Sequence, residues 1–146
     1  MGLSLLELTF VTLAIGVIAV AGSLRYADAL TRHRLQAAGK AIAAEWQGLA
    51  AMARTRNQTV TITVDPAMET FTVTGVENPD GPSRPYVVNV LNRFSVGIDR
   101  SDFPTATPLS FNAFGHPNRG GSLVLKLHGS ERSVTVDASQ GTIQAP

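Results

Sequence analysis

The chain has 146 residues, a formal net charge of +1 and no cysteine, so it can build one domain with its own hydrophobic core but not two sizeable ones. The lack of cysteine excludes disulfide frameworks, thiolate metal sites and cysteine nucleophiles together. A charge so near balance gives no global field that selects nucleic acid or an acidic substrate, and any basic patch has to be assembled locally.

Residues 3–24 read LSLLELTFVTLAIGVIAVAGSL, with no basic residue and one acid, Glu7. At about 1.5 Å per residue this stretch makes roughly 33 Å of helix, enough to cross the hydrocarbon core of a bilayer. A cleaved secretory signal would show a basic start, a shorter apolar core and a small-x-small cleavage site. Here a helical pattern continues past the apolar run instead. An ionised carboxylate in hydrocarbon costs about 2.5 to 3.5 kcal/mol at mid-membrane and less near an end, so Glu7 needs compensation. Two forms are open: solvation among the lipid headgroups, or a positive charge on a neighbouring chain. Ala14, Gly16, Ala19 and Gly22 suit close helix contact in a membrane.

Residues 25–56 contain no proline and are rich in alanine, leucine, arginine and glutamine, so the spacing predicts a helix running straight on from the apolar segment. Counted from Leu3 it would be roughly 80 Å long. Leu35, Ala38, Ile42, Leu49 and Met52, with Trp46 beside them, recur at three-and-four spacing and predict one apolar stripe against a sheet. Gly39 and Gly48 each cost about 1 kcal/mol in a helix interior and are expected to admit close packing of that sheet. The stem is the most basic part of the chain, with Arg25, Arg32, Arg34, Lys40, Arg54 and Arg56 against Asp28 and Glu45. Asp28 and Arg32 are spaced to pair, and the remaining charge is expected to face solvent or lipid headgroups.

From residue 57 the period changes to two. Val60, Ile62 and Val64 oppose Thr59, Thr61 and Thr63, and Phe71 and Val73 repeat the pattern against Thr70, Thr72 and Thr74. Asp65-Pro66-Ala67 between them predicts a hairpin turn. Residues 77–85 read as a loop, residues 86–91 and 94–98 as strands, and residues 101–108 as irregular. Leu123, Leu125 and Leu127 predict a strand that turns at Gly129-Ser130 into Val134 and Val136, with Thr142-Ile143 as a short last strand.

Gly2-Leu3-Ser4-Leu5-Leu6-Glu7-Leu8 followed by Thr12-Leu13-Ala14-Ile15-Gly16 resembles the class III signal of type IV pilins and pseudopilins. The last third, from Leu109-Ser110-Phe111-Asn112-Ala113-Phe114-Gly115 through Gly120-Gly121-Ser122 to Gly141-Thr142-Ile143, is similar to the minor pseudopilin head of GspH/FimT type. The resemblance implies an α+β, pilin-like fold: a leader at 1–2, the transmembrane half of a long helix at 3–24, an amphipathic stem at 25–56 and a small antiparallel β-sheet head at 57–146. It implies cleavage by a prepilin peptidase between Gly2 and Leu3, N-methylation of Leu3, and Glu7 as the assembly residue that pairs with a neighbour's N-terminal amine. Leu3 stands where the family usually has phenylalanine, and no basic residue precedes it. The implied partners are other pilin or pseudopilin subunits and an inner-membrane assembly platform, with the head in the periplasm and no cofactor. By charge alone Arg25, Arg32 and Arg34 would prefer the cytoplasm; the resemblance places the residues after the span outside it.

No enzymatic constellation stands out. His33, His116 and His128 lack a carboxylate or second histidine at metal-ligand spacing. The glycines at 115–121 precede a strand rather than a helix N-terminus, which argues against a phosphate cradle, and the dispersed acids form no acid/base pair. Some heads of this type bind DNA through a terminal Gly-Arg-x-Arg, where this chain has Gly141-Thr142-Ile143-Gln144. A weak DNA patch from Arg119, Lys126 and Arg132 would need those cations to converge. The expected function is a minor pseudopilin of a type II secretion system. A minor type IV pilus subunit that assembles pili or takes up DNA, and a membrane-anchored binding domain that never polymerises, are the alternatives.

Overall fold

The computed structural model describes residues 4–78, 81 and 85–146, without the side chains of residues 21–24. The chain divides into two compact units, Met1–His33 and Arg34–Pro146. Helix α1 (Leu5–Arg56) supplies the described secondary structure of the first unit and one layer of the second.

In the first unit, among the described residues, no side chain of the apolar segment is buried. In the second, Leu35, Ala38, Ile42, Trp46 and Leu49 are buried on one stripe of α1, as their spacing predicts. The stripe departs from expectation at its end: Met52 is 43% exposed, and Ala50 and Ala53 are the buried residues of that turn. Small side chains suffice there because a loop of the head presses close to the helix. The two stem glycines also differ. A Cβ on Gly39 would lie 3.4 Å from Ala145 Cβ and 3.8 Å from Val134 Cγ2, so the close approach expected at this position is real. Gly48 is exposed, with nothing within 4 Å of a Cβ built there, so it admits no packing.

The helix stops at Asn57, whose φ of 51° takes the left-handed conformation. The Gln58 N–H reaches Ala53 O at 3.1 Å and the Asn57 N–H reaches Arg54 O at 3.2 Å, which is a Schellman closure with asparagine in the glycine place. Arg54 and Arg56 in the last turn complement the negative end of the helix dipole.

Two four-stranded antiparallel sheets follow, where the sequence suggests one small sheet. The first has the order β3-β2-β1-β5, from β1 (Val60–Asp65), β2 (Thr70–Thr74), β3 (Tyr86–Asn89) and β5 (Leu109–Phe111). The second has the order β4-β6-β7-β8, from β4 (Gly97–Ser101), β6 (Gly121–Leu127), β7 (Ser130–Asp137) and β8 (Thr142–Gln144). Period-two alternation places Val60, Ile62, Val64, Phe71 and Val73 in the core and leaves the threonines outward. Between β3 and β4 the chain forms a short helix, α2 (Val90–Phe94), rather than two longer strands. Asn89 caps it by accepting the Asn92 N–H at 2.8 Å, and Ser95 ends it in the left-handed conformation. The Asn89 side-chain cap and the Ser95 backbone N–H, bonded to Leu91 O, outweigh the β preference of the valines.

All layers meet at Trp46, fully buried, with edge-on contacts to Phe71 at 6.2 Å and Phe103 at 5.8 Å between ring centroids. Polar contacts fix α1 on the sheets. Gln47 Nε2 donates to Ile143 O at 2.9 Å. The Tyr86 hydroxyl donates to Glu45 Oε1 at 2.5 Å, and Arg93 completes an ion pair with the same carboxylate at 3.2 Å. Burial, and then the hydrogen bond to Glu45, push the Tyr86 phenol up from 10.0 to about 12.

Two outcomes follow for the full chain in detergent micelles. Trp46→Ala removes the central ring and is expected to cost about 3 to 5 kcal/mol in urea unfolding. The folded chain holds the Tyr86 proton to about 12 whereas the unfolded chain releases it near 10.0. Its contribution to stability is therefore intact below the lower value and lost as the pH rises towards the upper. In Tyr86→Phe the alkaline fall of the urea midpoint should be shallower across that window.

Candidate functional site

The N-terminus of α1 is built by its own side chains. Ser4 precedes the helix, and its N–H lies 3.4 Å from Glu7 Oε2 while the Glu7 N–H lies 3.3 Å from Ser4 Oγ. This reciprocal arrangement is a capping box, and Ser-x-x-Glu at residues 4–7 is its sequence signature. Glu7 thus has a partner within its own chain that the cost of a buried acid does not by itself predict. The carboxylate also sits at the positive end of the helix dipole.

Farther along, the hydroxyls fold back onto the helix. Thr9 Oγ1 donates to Leu6 O at 2.7 Å, and Thr12 Oγ1 lies 3.0 Å from both Leu8 O and Thr9 O. Groups satisfied in this way tolerate an apolar surrounding, and Glu7 carries a charge among them. Around it the surface is greasy: Leu5 is 82% exposed, Leu6 68%, Phe10 65%, Leu13 66% and Ile18 71%. A contiguous apolar surface of this kind demands lipid or other helices. The segment is long and apolar enough to cross a membrane. Ala14 and Ala19 are exposed, and a Cβ on Gly16 would meet nothing within 4 Å, so a neighbouring backbone can approach there. Gly2 and Leu3, and the side-chain surroundings of Gly22, lie outside the described residues. Asp28 and Arg32 are exposed and form no ion pair; an isolated surface pair gains too little to hold two long side chains in place.

In the head, the segment from Asn112 to Asn118 is a tight loop. Asn112 Oδ1 accepts the N–H groups of Phe114 and His116, each at 3.0 Å, and leaves Phe114 75% exposed at the tip. Gly115, with φ 74°, faces α1: a Cβ there would fall 2.2 Å from Arg54 Nε and 2.8 Å from Ala50 O. Both the conformation and the space require glycine.

The cations considered for DNA do not converge. Arg119 Nη1 donates to Thr107 O at 3.3 Å, and its guanidinium lies 6.0 Å from the Phe103 ring centroid. Lys126 pairs with Asp99 at 3.5 Å. In the β6–β7 register Lys126 stands opposite Glu131 whereas Arg132 stands opposite core Leu125, so the two side chains take opposite faces of the sheet. Arg132 Nε is buried with no hydrogen-bond partner. His33, His116 and His128 are exposed.

No protein-family model and no curated protein matches the chain. Solved structures do. The type IV minor pilin FimU of Pseudomonas aeruginosa superposes in one crystal form with a TM-score of 0.57 and 18% identity, over 79% of this chain and 90% of FimU. A second crystal form of FimU gives a TM-score of 0.54 and 17% identity, over 77% of this chain and 92% of FimU. The chain has a type IV pilin-like fold. In that fold the long helix lies against the antiparallel head, the arrangement seen here between residues 34–56 of α1 and the two sheets.

The two glycines with opposite surroundings give a paired test by thermal melting in detergent. Gly115→Ala should destabilise by about 1 to 3 kcal/mol through strain and contact with α1. Gly48→Ala, on an open helical face, should stabilise by about 0.5 to 1 kcal/mol.

Proposed function

We propose that this chain is a minor subunit of a pilin-type filament, held in the inner membrane by residues 3–24 with its head in the periplasm until assembly. The observation that carries this reading is one helix with two different demands. Residues 34–56 are satisfied by the chain's own sheets, whereas the described apolar residues 5–20 are exposed and carry one acid close to the helix start. Lipid satisfies the apolar surface before assembly and the helices of other subunits satisfy it afterwards. Glu7 then exchanges its weak internal cap for the N-terminal amine of a neighbour, an amine created when a prepilin peptidase cuts after Gly2 and methylates Leu3.

Two systems use such subunits, the type II secretion pseudopilus and the type IV pilus. The solved neighbours are type IV minor pilins, and this favours the pilus. The dispersal of Arg119, Lys126 and Arg132 gives DNA binding no support from geometry, since affinity for phosphates grows with the number of cations brought together. A purely structural subunit, without enzymatic activity, accords with the fold.

The decisive variant is Glu7→Gln. Glutamine at this position keeps a capping box but removes the charge. Immunoblots of membrane and sheared filament fractions should show the Gln variant inserted and absent from filaments, and mass spectrometry of the native protein should find a methylated N-terminal Leu3. Filament incorporation of the Gln variant at the wild-type level would leave Glu7 with a capping role alone and sink the assembly assignment.

A further inference from the structure

Several cations of the second unit are matched within the chain. Arg93 faces Glu45, Arg100 and Lys126 face Asp99, and Arg119 donates to the carbonyl of Thr107. The arginines of the first unit are different. Arg25 and Arg32 are exposed and, among the described residues, form no ion pair, although Asp28 stands between them, three residues after one and four before the other. Seven residues apart on α1, the two arginines share one stripe of the helix. Tyr26 beside Arg25 is 71% exposed, and His33 is exposed as well.

Depth along the helix says what this stripe meets. Arg25 follows directly on the apolar run at 3–24 and belongs to the same helix. Arg32 comes roughly 10 Å farther along, whereas the headgroup layer on each side of the hydrocarbon is about 5 to 8 Å deep. By backbone position alone Arg32 would stand outside that layer. Helical side chains, however, lean back over the turn before them, and here the preceding turns lead into the apolar segment. A long arginine can therefore lay its stem along the helix and set its guanidinium among the headgroups, roughly one 5.4 Å turn lower. The guanidinium fork matches phosphate geometry, and a tyrosine at the same level suits an interface that is apolar on one side and wet on the other.

We propose that Arg25 and Arg32, with Tyr26, form a collar that binds anionic phospholipid headgroups on the head's side of the membrane. The assignment rests on the membrane reading above. Lipid phosphates at this depth supply the counter-charge that the chain does not, on a surface continuous with the one that lipid already covers. Over residues 25–33 two arginines and one aspartate leave a charge of +1 with His33 neutral, so Asp28 limits the preference for anionic over zwitterionic lipid.

The test places the full chain in phosphatidylcholine vesicles with traces of spin-labelled phosphatidylglycerol or phosphatidylcholine, and reads the motionally restricted fraction of each label by electron spin resonance. Phosphatidylglycerol should associate about two- to fivefold more strongly than phosphatidylcholine, and salt should weaken the preference. Arg25→Gln with Arg32→Gln should bring the ratio to about one while the restricted phosphatidylcholine stays as in the wild type, which shows that the helix still spans. Asp28→Asn should raise the ratio. Restricted lipid without headgroup preference in the wild type, or a preference that survives loss of both arginines, would overturn the collar and leave the membrane anchor standing. No restricted lipid of either kind would overturn both, so the two failures are told apart in one spectrum.

Discussion

A helix cannot keep a continuous apolar surface in water, and the rest of the molecule answers to that constraint on α1. Along residues 35–53 the answer is internal: Trp46 of α1 packs on Phe71 of β2 and on Phe103 in the loop after β4, and the head covers the stripe. Along residues 5–20 the chain supplies no cover of its own. Since propensity alone does not hold a helix in water, that segment is stable only in a solvent of lipid or in company with other helices. The two-unit division of the chain reflects these two solutions to one requirement.

Glu7 belongs to the same constraint. A carboxylate at the edge of an apolar segment must be hydrogen-bonded or paired, and the capping box meets the first condition with one contact, from the Ser4 N–H to Glu7 Oε2 at 3.4 Å, beyond the usual hydrogen-bond distance. A bond of that length holds the acid without committing it. A charge-assisted contact with a neighbouring amine would be shorter and roughly twice as strong as a neutral bond, so in the proposed reading the internal cap is a resting state that assembly outcompetes.

Where one period dominates, the sequence is transparent. Helical spacing from Leu35 to Leu49 and alternation in β1, β2 and β7 report burial directly, whereas in β6 Leu123, Val124 and Leu125 are all buried. Short elements are less legible. α2 hides inside a valine-rich stretch because its signal is two caps, Asn89 and Ser95, rather than a pattern. β5 is three residues long and exists by pairing with β1, a contact that no local feature encodes. Met52 and Gly48 differ from expectation because spacing identifies a face of the helix and not where its cover ends. At the site, Glu7 stands out through its chemistry, whereas the opposite facing of Lys126 and Arg132 follows from strand register, which only the folded sheet sets.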